Sequence, residues 1–234
     1  MAVFVMKDLF TSLFGKPEGI VLFQLLEATQ FTIYLSLIAF IGGGLIALIL
    51  AFMGTIKNPL SNLVSTGYIW LFQSTPLLML LFLFGLAIPR LFGVDINVWL
   101  AASVALVLYA SAYIGEVWRG AIDSIPRSQW EAGDALGLRF FPIFFLIIVP
   151  QAIRISIAPT VGFMVQIIKG TSLAYIIGFH DLMAIGKRWA NAPVNGTEPF
   201  IIFPLMALIY FSLCFPLSQI SQWLERKMKM ANGM

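Results

Sequence analysis

The run ATQFTIYLSLIAFIGGGLIALILAFM, residues 28–53, contains no Asp, Glu, Lys, Arg or His. It exceeds the roughly 20 residues that a helix needs to cross the hydrocarbon of a bilayer. No water is present there to bond a bare peptide group, so the segment must satisfy its own N–H and C=O groups, which a helix does. Working outward, apolar runs of spanning length occupy Leu60–Pro89, with Pro76 inside it, Val98–Val117 and Ile201–Trp223. Ala152–Ile168 is a further span, interrupted by Arg154 and Pro159 and leading into Lys169 and Gly170. Long runs broken by glycine and proline argue against an outer-membrane barrel, which shows alternating segments of about ten residues. The expected fold is all-α, a polytopic bundle of about five transmembrane helices.

Composition agrees. The chain is 60% hydrophobic and 11% charged, with mean hydropathy +0.94, where a soluble domain carries about 25% charged residues. The single cysteine, Cys214, lies in an apolar run and leaves no disulfide framework or thiolate metal site within one chain. His180 has no second His or Cys nearby to complete a ligand pattern and reads as a helix-end or loop residue. Gly15-Lys16 and Gly186-Lys187 both lack the glycine five positions earlier that a phosphate-binding loop needs. The chain is therefore expected to bind no cofactor, and any nucleotide belongs to another subunit. The acids fall at span ends or in loops, without the convergent constellation a membrane enzyme requires.

Residues 1–24 are too broken by charge to span and read as an interfacial amino-terminal helix. Residues 25–225 form the membrane domain and 226–234 a charged cytoplasmic tail. Cytoplasmic loops hold an excess of Lys and Arg. With the amino terminus outside and the carboxyl terminus inside, the inner segments hold Lys57, Arg119, Arg127, Arg139, Arg154, Arg226, Lys227 and Lys229, and the outer ones Lys7, Lys16, Arg90, Lys187 and Arg188. Lys169 lies near membrane depth. Gly42-Gly43-Gly44 reads as a close helix crossing. The external stretch Gly186–Pro199 is either a solvated loop or a face for an external binding protein through Lys187, Arg188 or Trp189.

The inner connection EVWRGAIDSIPRSQWEAGDALGLRFFPIFFLIIVPQAIR, residues 116–154, carries most of the information about function. Pro126 ends one element, and Ser128 with Glu131 three residues later has the pattern of a capping box. Gly137 is placed to end the helix so begun, giving a short rod at about 128–137. A helix of that length is marginal in water unless it packs on something. Ala132, Gly133 and Ala135 allow another backbone close, and Trp130 and Leu136 offer apolar anchors. Two readings fit these residues: a helix that docks on a partner protein, or one that lies on lipid headgroups.

Glu131-Ala132-Gly133, then Gly137, then Ile147-Ile148-Val149-Pro150 resembles the E-A-A-x(3)-G and I-x-L-P pattern of the EAA loop in membrane subunits of bacterial ABC importers. Ala112-Tyr113, Glu116 and Arg119-Gly120 resemble the A-Y-x-x-E-x-x-R-G segment of the amino-acid branch, similar to histidine, glutamine, glutamate and arginine permeases. Pro150-Gln151-Ala152 with Arg154 resembles its P-Q-A-x-R, and Lys169–Leu173 its K-D-T-S-L. The resemblance implies a type I permease that moves polar amino acids by alternating access. Ser128, Trp130, Glu131, Ala132, Gly133 and Gly137 would then couple the chain to the ATPase. The implied partners are two ATPase subunits holding ATP and Mg, a second homologous permease, a periplasmic solute-binding protein and membrane lipid, with no nucleic acid. The implied location is the bacterial inner membrane.

Irregular backbone at membrane depth is tolerated where it lines a cavity or is buried in protein. Gln73-Ser74-Thr75, before Pro76, and Lys169-Gly170-Thr171-Ser172 are accordingly the candidate solute pathway, with ordinary helix packing as the competing reading, evenly balanced for Ser74 and Gly170. Two departures from the resembled family matter. Its R-G-T-P is here Gln73-Ser74-Thr75-Pro76, and its K-D-T-S-L has Gly170 in place of Asp. An arginine and an aspartate complement the carboxylate and ammonium of an amino acid. Their replacement implies either pairing with a different homologous permease that keeps them, or a weaker site built on Gln73, Thr75, Thr171 and backbone groups. A stand-alone ion-coupled carrier is the alternative function, disfavoured by few charges within the spans.

Overall fold

The computed structural model describes residues 8–12, 15–56 and 58–231, without the side chains of 229–231. Lys7, Lys57 and the side chain of Lys229 lie outside the described residues, as do parts of the segment 1–24 and of the tail 226–234. Among the described residues there is no strand. The long elements are α1 (Glu18–Thr55), α2 (Pro59–Ser74), α3 (Leu77–Phe92) and α4 (Val98–Asp123). They are followed by α5 (Arg127–Ala135), α6 (Phe140–Ile177), α7 (Leu182–Ala190) and α8 (Pro199–Ala231). Four of these, α1, α4, α6 and α8, are long and apolar enough to cross a bilayer, and the broken pair α2 and α3 adds a fifth if it forms one span.

Local chemistry explains most boundaries. Asn58 accepts a hydrogen bond from the Leu60 N–H at 3.0 Å, and Pro59 takes the first helical position of α2, where its missing donor is not needed. Thr75 is extended (φ −93°, ψ 123°), as steric clash with the ring of Pro76 demands. The expected single span Leu60–Pro89 is therefore a broken pair. Gly93 (φ 62°) and Gly178 (φ 90°) end α3 and α6 in the left-handed region, which glycine enters without a Cβ clash.

Proline does not end α6. The stretch Ile143–Ile148 is a π turn, in which the Val149 N–H reaches the Phe144 carbonyl. It lies directly upstream of Pro150, whose ring and missing donor conflict with α-helical bonding to the residue four before it. Leu83–Ala87 in α3 is a second π turn, just before Pro89. With Pro150 accommodated and Pro159 carried inside the helix, α6 is far longer than the expected Ala152–Ile168. Two further boundaries differ from expectation. Helix α1 starts at Glu18, so the last part of the supposed interfacial segment belongs to the first span, and α8 continues through the charged tail to Ala231.

Contacts divide the chain into two units, Met1–Ala39 with Leu77–Leu106 and Ile167–Phe215, and Phe40–Pro76 with Val107–Gln166 and Pro216–Met234. The first has a core of Val21, Leu25, Leu182, Ile202, Met206 and Ile209. The Leu182 N–H there donates to Thr32 Oγ1 at 3.3 Å. Cys214 is buried in this unit, a small core residue. In the second, Ser65 and Ser61 of α2 donate to the Leu50 and Met53 carbonyls of α1, each at 2.8 Å. Cβ atoms built on Gly42 and Gly43 would lie 2.9 Å from Val107 Cγ2 and 2.7 Å from Ala110 Cβ. The glycine run is thus a crossing of α1 on α4, made by close packing because lipid is as apolar as the helices themselves.

Gly43→Ala is expected to lower the unfolding stability of the purified protein by about 1–3 kcal/mol, despite its better helix propensity. Gly44→Ala, whose Cβ would meet only Trp118 Cη2 at 3.9 Å, is expected to hold or raise it. Equal melting curves for the two variants in detergent would contradict the crossing.

Candidate functional site

The short inner helix expected near 128–137 is α5. Pro126 (φ −56°, ψ 140°) sets its start without a side-chain cap, and the Gln129 N–H donates to the Pro126 carbonyl at 3.0 Å. Ser128 consequently sits inside the first turn, and the expected capping box with Glu131 does not form. The proline fixes the chain direction two residues before Ser128 could act. The end is as expected: Gly137 has φ 75°, its N–H donates to Asp134 O at 2.9 Å, and the Leu138 N–H donates to Gly133 O at 3.1 Å. This is the Schellman arrangement.

The two faces of α5 differ from expectation as well. Trp130 is half-buried against Phe140, with ring centroids 6.0 Å apart, and against Phe144 at 6.5 Å. Gly133 is buried, and a Cβ there would fall 2.7 Å from Ile143 Cγ1. Both face their own chain, so neither is a surface anchor. The exposed residues are Arg127, Ser128, Glu131, Ala132, Asp134, Ala135 and Leu136, the last 77% exposed. Helical periodicity could have separated these faces, because Trp130 and Gly133 are three apart.

The candidate pathway residues fall in the two units and are placed in each separately. In the second unit, Gln73 Nε2 lies 3.5 Å from the Ala112 carbonyl, Thr75 Oγ1 donates to Leu71 O at 2.8 Å, and Ser74 is exposed at the end of α2. In the first, Lys169 is exposed, while Thr171 is fully buried and donates to Ile168 O at 2.8 Å. Ser172 donates to Lys169 O at 2.6 Å. A Cβ on Gly170 would lie 2.9 Å from Leu77 Cδ2, so Gly170 serves close packing. Thr171, turned into the core, offers no hydroxyl to a solute.

Other polar groups in the spans pair with one another, including two that the sequence offered only as parts of a motif. Glu116 and Arg119 form a forked ion pair, closest at 2.8 Å, with Asp123 4.0 Å from the same guanidinium. Their i, i+3 spacing on one helix was the available signal. Tyr68 and Ser111 share a hydrogen bond at 2.7 Å, and the Trp118 indole donates to Thr160 Oγ1 at 3.0 Å. Tyr109, Tyr113 and Phe163 cluster in the same unit, with Tyr113 stacked on Phe163 at 5.2 Å.

In the external stretch, Trp189 donates to Gln24 Oε1 at 2.8 Å and Lys187 to the Tyr175 hydroxyl at 3.1 Å, both within the first unit. Arg188 is exposed, and His180 is exposed in the loop that follows α6. Asp181, fully buried, caps α7 by accepting from the Ala184 N–H at 2.9 Å, with the Tyr210 hydroxyl 3.5 Å from its other oxygen. Burial pushes its carboxyl up to about 6, against the hydrogen bonds that favour the ion.

The residues 43–230 match the model of the family described as the inner membrane component of binding-protein-dependent transport systems. The chain belongs to this family. It is 33% identical over 189 residues to the probable amino-acid ABC transporter permease protein PatM of Vibrio harveyi, across 80% of this chain and 83% of that protein. It is 34% identical over 202 residues to the L-cystine transport system permease protein TcyB of Bacillus subtilis, across 85% and 83%. The crystal structure of an amino acid ABC transporter with histidines superposes with a TM-score of 0.79 at 26% identity, covering 87% of this chain and 94% of that one. As a member of this inner membrane component family, the chain is a multi-pass inner-membrane permease subunit and not an enzyme, the ATPase of such systems being a separate subunit. Permeases of this family work in general with an ATPase, a second permease and a binding protein.

The raised carboxyl of Asp181 gives a pH dependence with a definite sign. Folding is favoured most where the group is protonated in both states, below about 4, and that advantage is lost as pH rises through about 6. The loss is on the order of 3 kcal/mol. Asp181→Asn keeps a capping oxygen and removes the titration, so its thermal stability is expected to fall less between pH 4 and pH 8 than that of the parent. Parallel pH profiles would refute the assignment.

Proposed function

We propose that the chain forms half of the solute pathway in an ATP-driven importer of polar amino acids. The observation that carries this reading is α5, a nine-residue helix closed by Gly137 that bears the E-A-A-like residues and is keyed to the membrane domain on one side and bare on the other. Such a rod suits an ATPase groove. Closure of two ATPase subunits on ATP and Mg would displace it and tilt the helices to which it is fixed, exposing a central site first to one side and then to the other. The relatives named for amino-acid and cystine transport support the solute class.

The amino terminus is assigned to the outside and the carboxyl terminus to the cytoplasm, with α5 inside, in keeping with the charge bias of the loops. Trp189 is engaged within the chain, and the exposed cations Lys187 and Arg188 are assigned to meet a periplasmic binding protein. Gln73, Ser74 and Thr75 in the second unit, and Lys169 and Ser172 in the first, are assigned to the solute, with Gly170 and Thr171 as packing residues of the first unit. Because Gln73 and Gly170 stand where charged residues would complement an amino acid, the second permease is assigned to a different, homologous chain.

Proteoliposomes with the chain, its ATPase and its binding protein are expected to take up a labelled polar amino acid only with ATP and only when a second permease is present. Uptake without ATP would overturn the importer, and full uptake without the second permease would overturn the heteromer. A cysteine at Ser128 is expected to react with an impermeant maleimide from the cytoplasmic side alone; labelling from outside would reverse the topology.

A further inference from the structure

The third position of the E-A-A pattern, alanine in the resembled motif, is Gly133 in this chain. The volume of the absent methyl group is taken by Ile143, which is only 1% exposed. A Cβ at Gly133 would meet Ile143 Cγ1 at 2.7 Å, Cδ1 at 2.9 Å and Cγ2 at 3.2 Å. Both branches at the isoleucine Cβ are involved, and on a helix its χ1 is held to essentially one rotamer. No single side-chain rotation clears both. We propose that Gly133 and Ile143 are a matched joint that passes movement of α5 into α6, so that restoring the alanine of the family pattern would uncouple this chain. The proposal rests on the importer reading.

Three features support the joint. Helix α5 has nine residues, too few to hold its own position in water, so its placement depends on what it packs against. Its inward residues are Gly133 on Ile143 and Trp130 against Phe140 and Phe144, and Phe144 in turn meets Phe52 with centroids 5.6 Å apart. Close-packed contacts of this kind switch between discrete arrangements and do not deform smoothly. Gly133 is also absent from the exposed face, so a change there reaches the ATPase only through the placement of α5. Gly133 and Ile143 are positioning residues in this sense.

The test is a size exchange in the full transporter complex. Gly133→Ala is expected to retain its ATPase subunits on purification, since Arg127, Ser128, Glu131 and Ala132 are unaltered. Solute moved per ATP is expected to fall roughly tenfold, with loss of the ATP hydrolysis stimulated by loaded binding protein. Ile143→Ala alone is expected to give a smaller loss. Gly133→Ala with Ile143→Ala should recover the parental ratio to within about twofold, a non-additivity that neighbouring residues show and independent ones do not. If Gly133→Ala proves too unstable to purify, the double variant decides against Ile143→Ala alone: recovery supports the joint, and a ratio no better than that single variant overturns it. Wild-type coupling in Gly133→Ala overturns it too. A parental complex that moves solute without spending ATP would instead remove the importer reading, a result distinct from any of the variant outcomes.

Discussion

A peptide group left unbonded in hydrocarbon costs several kcal/mol, and the arrangement of this chain follows from avoiding that penalty. The long elements bond their own backbones. Before two prolines that delete a donor the helix changes pitch without opening, at Ile143–Ile148 before Pro150 and Leu83–Ala87 before Pro89. Side-chain hydroxyls follow the same rule: Thr29, Ser36, Thr160 and Thr171 return their protons to carbonyls one turn back. Among the described residues no buried side-chain nitrogen or oxygen lacks a partner.

Once backbone groups are satisfied, shape decides how helices meet, because contact with lipid is as favourable as contact with another apolar helix. Glycine therefore marks close meetings, among them Gly43 on Ala110 in one unit and Gly170 on Leu77 in the other. Helix α5 is held by the same means, small residue against branched residue with aromatic rings around them. Its exposed face mixes the polar Arg127, Ser128, Glu131 and Asp134 with the apolar Leu136.

The sequence made the crossings legible because runs such as 28–53 have no other solvent to live in. It did not disclose which prolines break a helix. Pro76 does, whereas Pro150 follows a π turn and Pro159 sits inside regular helix, and no single residue announces the difference. Ser128 looked like a cap because spacing alone cannot say that Pro126 has already fixed the chain direction. Trp130 and Gly133 pack on their own chain where a partner contact was expected, since a small or aromatic residue serves an inner face as readily as an outer one. Thr171 was taken for a solute contact on its polarity, yet its hydroxyl closes on its own helix. Gly137 was legible because a left-handed turn at a helix end demands glycine for steric reasons alone.

The π turn in α6 has a bearing on how the helix tolerates change in length. A wide turn holds one residue more than the regular helix requires, so the downstream portion is rotated by about 100° from the phase that an uninterrupted α-helix would give it. Wheel diagrams drawn straight through residues 140–171 therefore misalign the inner and outer parts of the same element. Loss of one residue between Ile143 and Ile148 could be absorbed by tightening to ordinary pitch, with Pro150 then forcing a kink in place of the bulge, whereas an added residue has nowhere to go. Homologous helices one residue shorter at this point would be expected to bend where this one swells.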